Sequence, residues 1–343
     1  KDLSKKLLKY HRVPVPAFAV FPMGKKTRRP ARLKFPLIVK SLWEDASLGI
    51  AQASIVDSDE KLAERVAFIH GEQQTSYREF GEQISRMVQA LTAQGLAKGD
   101  PVATLSTNRP EAFLITAAAY LMGLRVTWLN PNSSEDDHVY MLRDSGVQWM
   151  LVDPPHYSGR ALALQARVGK ALRMAGLGPW QGQLDMLAEA ARFKSERLVA
   201  RASADDVCVL MYTGDTTGQP KGVVHTHRVH EAMVLMELAG WDWPAEPRFL
   251  ATTPITHASG TIIMPVLLRS GTFIMQAGFE VGSFCRLVEQ HRVNATFMVP
   301  TVVSAAPAPS TSVSVSVFVE SATLDKVPPE GTLVRVNGAV PAV

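Results

Sequence analysis

Along the middle of the chain, segments with the hydrophobic period of a helix alternate regularly with segments that have the pattern of a strand. Apolar residues recur at helical spacing after Thr75, at Phe80, Ile84, Val88 and Leu91, which predicts a long amphipathic helix. Beyond it the pattern predicts a strand over 101–106, a helix over 109–122, a strand over 124–129, a helix over 134–144 and a strand over 147–152. Strands that alternate with crossover helices indicate an α/β fold with doubly wound parallel sheets and helices on both faces.

A second series of the same kind begins at Val207, and an Ala-rich stretch over 156–204 between the two series predicts helix. The second series comprises strands over 248–252, 272–276 and 295–299 and helices over 261–268 and 281–291. Strand patterns over 35–40 and 51–56, with a helix from Asp57 or Ser58 through Val66, predict a small α+β unit upstream.

These changes of pattern divide the chain into four predicted parts. They are an α+β segment over 1–70, an α/β core over 71–303, a low-complexity stretch over 304–331 and a final strand-like segment over 332–343. The low-complexity stretch is interpreted as a linker, with an alternating β ribbon over 313–319 as the alternative.

Composition and charge restrict the classes of function. The chain has 343 residues, 46% of them hydrophobic, which suffices for a large core. Residues 1–40 contain twelve of the 36 Lys and Arg residues and only Asp2 among the acids, so this segment carries +11 and the rest of the chain −7. Such a basic run can bind nucleic acid or an anionic membrane. Because no aromatic interleaving or nucleic-acid motif accompanies it, we expect a solvated face near a phosphate site and no nucleic-acid partner.

Neither a membrane span nor an export signal is visible in the sequence. No run approaches the roughly 18 to 20 apolar residues that a membrane helix needs, and no charged-then-apolar leader precedes a cleavage site. Cys208 and Cys285 lie far apart, without the spacing of a disulfide framework or a zinc site. We therefore expect a cytoplasmic protein without metal-ligating side chains of its own.

The most specific motif follows the strand pattern that begins at Val207. It reads Val209-Leu-Met-Tyr-Thr213-Gly214-Asp215-Thr216-Thr217-Gly218-Gln-Pro-Lys221-Gly222. Glycines let backbone N–H groups approach a phosphate, threonine hydroxyls donate hydrogen bonds and a lysine supplies positive charge. The glycine spacing differs from that of the Walker loop. The motif therefore predicts a phosphate-binding loop of another kind.

This string resembles the signature of the adenylate-forming superfamily, which includes acyl-CoA synthetases, luciferases and nonribosomal-peptide adenylation domains. The resemblance extends over roughly residues 72–303. Supporting segments are Thr75-Ser-Tyr-Arg-Glu79, Lys98-Gly-Asp-Pro-Val-Ala103, Asn108-Arg-Pro-Glu111, Leu129-Asn-Pro131, Pro254-Ile-Thr-His-Ala-Ser-Gly260 and Ala295-Thr-Phe-Met-Val-Pro-Thr301.

The resemblance implies a ligase that uses ATP and Mg²⁺ to activate a carboxylic acid as an acyl-adenylate, whose acyl group is then transferred to coenzyme A. Fatty acids are the substrates that we expect. It implies catalytic roles for Lys221, Thr216 and His257, with His257 at the mouth of the acyl pocket. The residues that it implies for nucleotide binding are Thr213, Gly214, Asp215, Thr216, Thr217, Gly218 and Lys221.

Two departures from the family pattern predict impaired catalysis. Asp215 stands where the family has glycine and adds a negative charge beside the expected phosphates. At about 6 Å and an effective dielectric near 20, each phosphate charge is repelled by roughly 3 kcal/mol. The sequence also stops after Gly338-Ala-Val-Pro341, which is similar to the family's Gly-Ala-Ala-Pro turn, so the adenine-contacting segment and the C-terminal domain are expected to be missing.

The first 70 residues show a second resemblance, to the ATP-grasp region of D-alanine:D-alanine ligases. It depends on Lys1-Asp-Leu-Ser-Lys5, Phe35-Pro-Leu-Ile-Val-Lys40 and Glu44-Asp-Ala-Ser-Leu-Gly49. It implies that Lys1, Lys5 and Lys40 bind ATP phosphates. Two alternatives to an acyl-CoA synthetase therefore stay open: an ATP-grasp carboxylate–amine ligase, and a non-catalytic recombined chain that binds nucleotide.

Overall fold

The fold is taken from a computed structural model that describes residues 64–213, 219–241 and 243–298. It also describes the backbone of four short strand segments, namely β1 (Leu37–Ile38), β2 (Ile55–Val56), β15 (Val315–Phe318) and β16 (Val334–Val336). Strands β1 and β2 pair in antiparallel fashion, and both fall within the strands that the sequence predicts over 35–40 and 51–56.

A seven-stranded sheet is built from the middle of the chain, with strand order β11-β10-β6-β5-β7-β8-β9. Its strands run parallel except β11, which pairs with β10 in antiparallel fashion at the edge. The strands are β5 (Pro101–Leu105), β6 (Arg125–Trp128), β7 (Trp149–Val152), β8 (Arg173–Gly176), β9 (Leu184–Asp185), β10 (Val207–Thr213) and β11 (Lys221–Thr226).

The second seven-stranded sheet has the order β16-β15-β14-β12-β13-β3-β4 and combines both ends of the described chain. Its five central strands run parallel, and β4 and β16 pair in antiparallel fashion at the two edges. The strands not yet given are β3 (Val66–His70), β4 (Gln73–Ser76), β12 (Arg248–Ala251), β13 (Thr272–Met275) and β14 (Ala295–Phe297).

Eight helices are described in these ranges. They are α1 (Tyr77–Ala93), α2 (Pro110–Met122), α3 (Glu135–Asp144), α4 (Pro154–Val168), α5 (Met186–Ala191), α6 (His227–Gly240), α7 (Ala258–Leu268) and α8 (Val281–His291). In the part of the chain that the structure describes, no helix has both the length and the apolar character to cross a bilayer.

The strands are hydrophobic on both faces because helices cover each side of each sheet. Phe249 and Ala251 of β12 point into the core that the two sheets share, whereas Leu250 between them points into a separate core with α8. Helices α1, α2 and α7 fill the shared core, and α3 and α4 cover the outer face of the first sheet. Alternate residues of each strand face opposite sides of its sheet, so two sheets and three layers of helices form five layers in all. This arrangement confirms the predicted doubly wound α/β class.

Most helices and strands begin and end within one or two residues of their predicted bounds, because local sequence signals set their ends. Helix α1 begins after Ser76 rather than Thr75, because Ser76 and Glu79 form a reciprocal capping box. Gly95 and Gly99, at φ of 86° and 92°, follow its end as predicted. Helix α8 spans 281–291, as the sequence pattern predicts.

Two predictions of helix are wrong. The Ala-rich stretch over 156–204 is helical only in α4 and the six-residue α5, and it contributes strands β8 and β9 to the first sheet. Val66, which was predicted to lie in a helix, begins β3, whose parallel pairing with β13 outweighs local preference. Of the two alternatives for the low-complexity stretch, the structure shows β15 pairing with β14 within the predicted ribbon.

Helices α6 and α7 contact each other through a half-buried acid. The Thr261 hydroxyl donates to Glu237 Oε1 at 3.1 Å, while Oε2 is buried without a hydrogen-bond partner. Burial raises the pKa of Glu237 from 4.5 to about 7, although the Thr261 hydrogen bond opposes this shift. A carboxyl whose pKa is higher in the folded state favours folding when protonated, so this contribution is lost as pH rises through 7.

We therefore expect the wild type to lose stability between about pH 5 and pH 8 relative to Glu237→Gln, by at most about 3 kcal/mol. Urea denaturation across this pH range measures the difference. Glu231→Gln, an exposed substitution on the same helix, is the control and should leave the pH profile unchanged. Parallel profiles for wild type and Glu237→Gln would contradict the assigned pKa shift.

Candidate active site

The polar residues of the candidate site follow parallel strands at their carboxyl ends. In the first sheet, Asn108 follows β5, Asn130 follows β6 and Thr213 ends β10, and these three strands are neighbours. In the second sheet, the loop 252–257 follows β12. Ligands of open α/β sheets bind outside the carboxyl ends of their strands. The loops of both sheets therefore converge on one candidate site.

Thr213 and Lys221 lie directly opposite each other where β10 and β11 meet. The Thr213 hydroxyl is 3.5 Å from the Lys221 carbonyl oxygen, and both residues are exposed. The loop between them contains the other predicted phosphate ligands, Gly214, Asp215, Thr216, Thr217 and Gly218, which lie outside the described residues. The structure thus brings together the two ends of the predicted phosphate-binding loop.

Tyr212 ties this pair of strands to helix α3. Its buried hydroxyl donates to Asp144 Oδ2 at 2.5 Å, at the end of α3. Burial, and then the Asp144 carboxylate, raise the pKa of Tyr212 above its ordinary value. Its ring lies so close to Gly222 that a Cβ there would be 3.2 Å from Tyr212 Cε1. Gly222 therefore lets β11 pack over the tyrosine and holds Lys221 at the strand end.

His257 reaches the site from the second sheet. It stands at the residue before α7, and its Nδ1 lies 3.2 Å from the Thr256 hydroxyl. Its Nε2 lies 3.4 Å from Asn130 Nδ2, across the junction of the two sheets. Asn130 is held in turn, because its Oδ1 accepts from the Asn132 backbone N–H at 3.0 Å. The predicted site histidine therefore contacts the first sheet at the end of β6.

Asn108 joins the two sheets by a pair of hydrogen bonds to the loop that carries His257. Its Nδ2 donates to the Thr253 carbonyl oxygen at 2.9 Å, and its Oδ1 accepts from the Ile255 N–H at 2.8 Å. The residue is only 6% exposed, so water does not compete for these groups. Asn108 is a positioning residue for His257, because it fixes the backbone immediately before the histidine.

The same loop requires glycine at position 260. A Cβ there would lie 1.8 Å from the Ile255 carbonyl oxygen, so any other side chain would force the loop and α7 apart. The hydroxyls of Thr253 and Ser259 are 2.6 Å apart and close the loop from another side. The Pro-x-x-His-x-x-Gly pattern thus combines a candidate ligand-facing histidine with a glycine that serves packing.

A buried ionic network stabilises the neighbouring loops. Asp153, with no exposed surface, accepts from the Thr107 hydroxyl at 2.7 Å, Arg109 Nη1 at 2.7 Å and His156 Nδ1 at 2.9 Å. Burial alone would raise the pKa of Asp153, but the Thr107 hydrogen bond and the Arg109 charge together lower it. Arg109 also binds Glu111 at 2.8 Å. The network ties the loops after β5 and β7 together.

Lys1, Lys5 and Lys40 lie outside the described residues, so their predicted phosphate contacts stay predictions. Within the described ranges, no group of three or more His, Cys, Asp or Glu side chains is arranged to hold a metal ion. Asn108 and Asn130 have no predicted role, although both lie in segments that carry the family resemblance and both follow strands.

The class that this fold and site define is confirmed by comparison with known proteins. The chain belongs to the AMP-binding enzyme family, which it matches over residues 56–326. The predicted resemblance to the adenylate-forming superfamily is thereby confirmed.

Individual relatives are similar over the same core. The chain is 38% identical over 234 residues to the medium/long-chain-fatty-acid–CoA ligase FadD8 of Mycobacterium tuberculosis, covering 66% of this chain and 41% of the relative. It is 32% identical over 241 residues to a feruloyl-CoA synthase of Amycolatopsis, covering 70% of this chain and 46% of that relative. The solved N-terminal domain of FACL13 from Mycobacterium tuberculosis matches with a TM-score of 0.62 at 25% identity. The match covers 70% of this chain and 60% of the solved one. The chain spans about half the length of the curated relatives that it matches.

We expect Asn108→Ala to destabilise the protein by about 2 to 4 kcal/mol, because it leaves the Ile255 N–H and the Thr253 carbonyl buried without partners. Chemical denaturation measures the loss. The His257 imidazole signals in an NMR spectrum should shift as well, because the loop before His257 is released.

Asn132→Ala is the matched control, since Asn132 is exposed and its change should cost within about 0.5 kcal/mol. Equal stability losses in the two variants, with unmoved His257 signals, would show that Asn108 does not position the loop.

Proposed function

We propose that the chain activates a carboxylic acid with ATP, forming an acyl-adenylate for transfer to coenzyme A. The observation that carries this proposal is the pairing of Thr213, at the end of β10, with Lys221, at the start of β11. Strand β10 neighbours β6, after which Asn130 contacts His257, and the chain is of the AMP-binding enzyme family. Fatty acids are the proposed substrates, because one relative is a medium/long-chain-fatty-acid–CoA ligase. The feruloyl-CoA synthase relative makes aryl acids the next class to test.

The chemistry requires that two anions meet, since a carboxylate must attack the α-phosphate while pyrophosphate leaves. In our proposal the Lys221 ammonium neutralises phosphate charge, and the hydroxyls of Thr213, Thr216 and Thr217 donate to phosphate oxygens. Backbone N–H groups of Gly214 and Gly218 add further donors. These groups bind and align the nucleotide rather than react with it.

His257 is the proposed residue at the mouth of the acyl pocket. Its ring is held on both nitrogens, by Thr256 and at the Asn130 amide, so its orientation is set before a substrate arrives. A preorganised ring of this kind shapes the mouth of the pocket without a cost in side-chain entropy at binding. Mg²⁺ in such sites is bound mainly through substrate phosphates and one or two carboxylates, and its role here would be to neutralise phosphate charge.

We place the activity in the cytoplasm, as the sequence predicts.

Asp215 opposes this function. Its carboxylate stands in the sequence between the proposed donors Gly214 and Thr216, where it repels the same phosphates that they bind. We therefore propose a weaker affinity for ATP than a glycine at this position would give, and correspondingly slow activation of the acid.

The products of the reaction test the proposal. The purified chain is incubated with ATP, Mg²⁺ and short, medium or long fatty acids or an aryl acid, with and without coenzyme A. Acid-dependent release of AMP and pyrophosphate is expected. Release of ADP and phosphate would favour the ATP-grasp carboxylate–amine ligase that the Lys1, Lys5 and Lys40 segments suggest. Absence of both products would favour a non-catalytic nucleotide-binding chain.

A substitution locates the nucleotide. Lys221→Ala removes one phosphate-facing charge and should weaken ATP binding by about 1.5 to 3 kcal/mol in a calorimetric titration. Lys170→Ala, an exposed lysine elsewhere, is the control and should leave the affinity unchanged. If Lys40→Ala abolishes binding while Lys221→Ala does not, the nucleotide site belongs to the first 70 residues.

A further inference from the structure

A buried histidine on α3, His138, contacts the loop after β6 that carries Asn130. The residue has no exposed surface. Its Nε2 lies 2.8 Å from the Asn130 carbonyl oxygen, and its Nδ1 lies 3.5 Å from Nη1 of Arg160 on α4. Because a buried polar group needs a partner, these two contacts explain how a histidine can stand at this position. The ring thus connects α4 to a loop of the candidate site.

The partners of the His138 ring define where its proton lies. A carbonyl oxygen can only accept a hydrogen bond, so Nε2 carries a proton and donates to Asn130. A guanidinium can only donate, so Nδ1 is the unprotonated acceptor that faces Arg160. Burial lowers the pKa of His138 and the Arg160 charge lowers it further, although the Asn130 hydrogen bond and the carboxylates of Asp137 and Glu135 oppose this shift. A neutral ring with its proton on Nε2 therefore fits both contacts.

The loop that receives this hydrogen bond has little hydrophobic packing to fix it, since none of residues 130–134 is buried. The Asn130 carbonyl oxygen also accepts from the Ser133 N–H at 3.0 Å, which closes a turn within the loop. Arg160 Nη1 donates to the Ser133 carbonyl oxygen at 3.3 Å. A hydrogen bond inside the turn cannot set where the turn stands on the sheet. His138 and Arg160 attach it to α3 and α4 and thereby set its position.

The Asn130 side chain extends this arrangement to the second sheet. Its Oδ1 accepts from the Asn132 N–H at 3.0 Å, so its Nδ2 is the atom that faces His257 Nε2 at 3.4 Å. A donor at Nε2 places the proton of a neutral His257 ring on Nδ1, which then donates to the Thr256 hydroxyl at 3.2 Å. Movement of Asn130 would therefore change the partner of His257 Nε2.

We propose that His138 is a positioning residue for the mouth of the acyl pocket, because through the Asn130 carbonyl it fixes the amide that His257 faces. Asn108 fixes the backbone on the His257 side of this contact, and His138 fixes the opposite side. Two buried residues, one for each sheet, thus set the His257–Asn130 distance. The role in substrate binding rests on the proposed function, in which His257 lines that mouth, whereas the positioning itself can be measured without a substrate.

The wild-type chain tests the hydrogen-bond assignment directly. A long-range proton–nitrogen NMR spectrum at pH 7 distinguishes the two imidazole nitrogens of each histidine. We expect a neutral His138 with its proton on Nε2. A neutral His138 with its proton on Nδ1 would overturn the proposal, because Nε2 could then not donate to the Asn130 carbonyl oxygen.

Substitutions of His138 test the positioning. In His138→Leu we expect the side-chain amide signal of Asn130 and the imidazole signals of His257 to shift. His138→Gln should return them towards the wild-type positions, because the glutamine amide can still donate to the carbonyl oxygen. His291→Leu, which replaces a buried histidine on α8, is the matched control and should leave these signals in place. Unmoved signals in His138→Leu would refute the proposal. If that variant does not fold, His138→Asn, whose amide is too short to reach the carbonyl, replaces it under the same criterion.

Kinetics separate positioning from general support of the fold. In acid-dependent AMP release, His138→Leu should raise the KM for the acid about three- to tenfold, because a displaced His257 shapes the mouth less well. The dissociation constant for ATP should stay unchanged, since Thr213 and Lys221 belong to other strands, and His138→Gln should restore the KM. Equal weakening of acid and ATP binding would overturn the proposal. If the wild type releases no AMP, the proposed function fails, and the NMR spectra alone decide whether His138 positions Asn130 and His257.

Discussion

The two hydrogen bonds of the Asn108 side chain join the carboxyl ends of the two sheets, and the geometry of the candidate site depends on them. Each sheet completes its own backbone hydrogen bonding, and the shared hydrophobic core holds the sheets together without specifying how their loops align. Apolar burial is non-directional, whereas an amide that donates to Thr253 and accepts from Ile255 fixes both distance and orientation. The position of His257 opposite Asn130 follows from that alignment.

Charge is distributed so that the ionic groups near the site stabilise it. Asp153 is fully buried, yet the Thr107 hydroxyl, Arg109 and His156 occupy its oxygens, so it holds two loops together with little charge left for a ligand. Lys221 stands at an exposed strand end, where a phosphate can approach. An exposed positive charge thus stands at the start of β11, opposite the end of β10, and the buried charges are structural.

The sequence predicts the elements of this fold where local signals and periodicity agree. Helix α8 matches its predicted span, and the capping box at Ser76 lies one residue from the predicted cap. Strands β8 and β9 escape prediction because each is short and β8 contains Ala175 and Gly176, so the pairing of β8 with β7 and of β9 with β8 decides their structure. The role of Asn108 could not be predicted, because its partners are 145 and 147 residues away in the chain.

The motifs mix residues that shape loops with residues that can face a ligand, and only the structure separates them. Gly222 lies against the Tyr212 ring, and Gly260 lies against the Ile255 carbonyl, so both glycines serve close packing rather than phosphate contact. Thr213 and Lys221 are exposed at the strand ends. A motif can therefore depend on glycines for the shape of its loops, whatever residue stands at a position such as Asp215. Fewer residues are consequently left to face a ligand than the motifs contain.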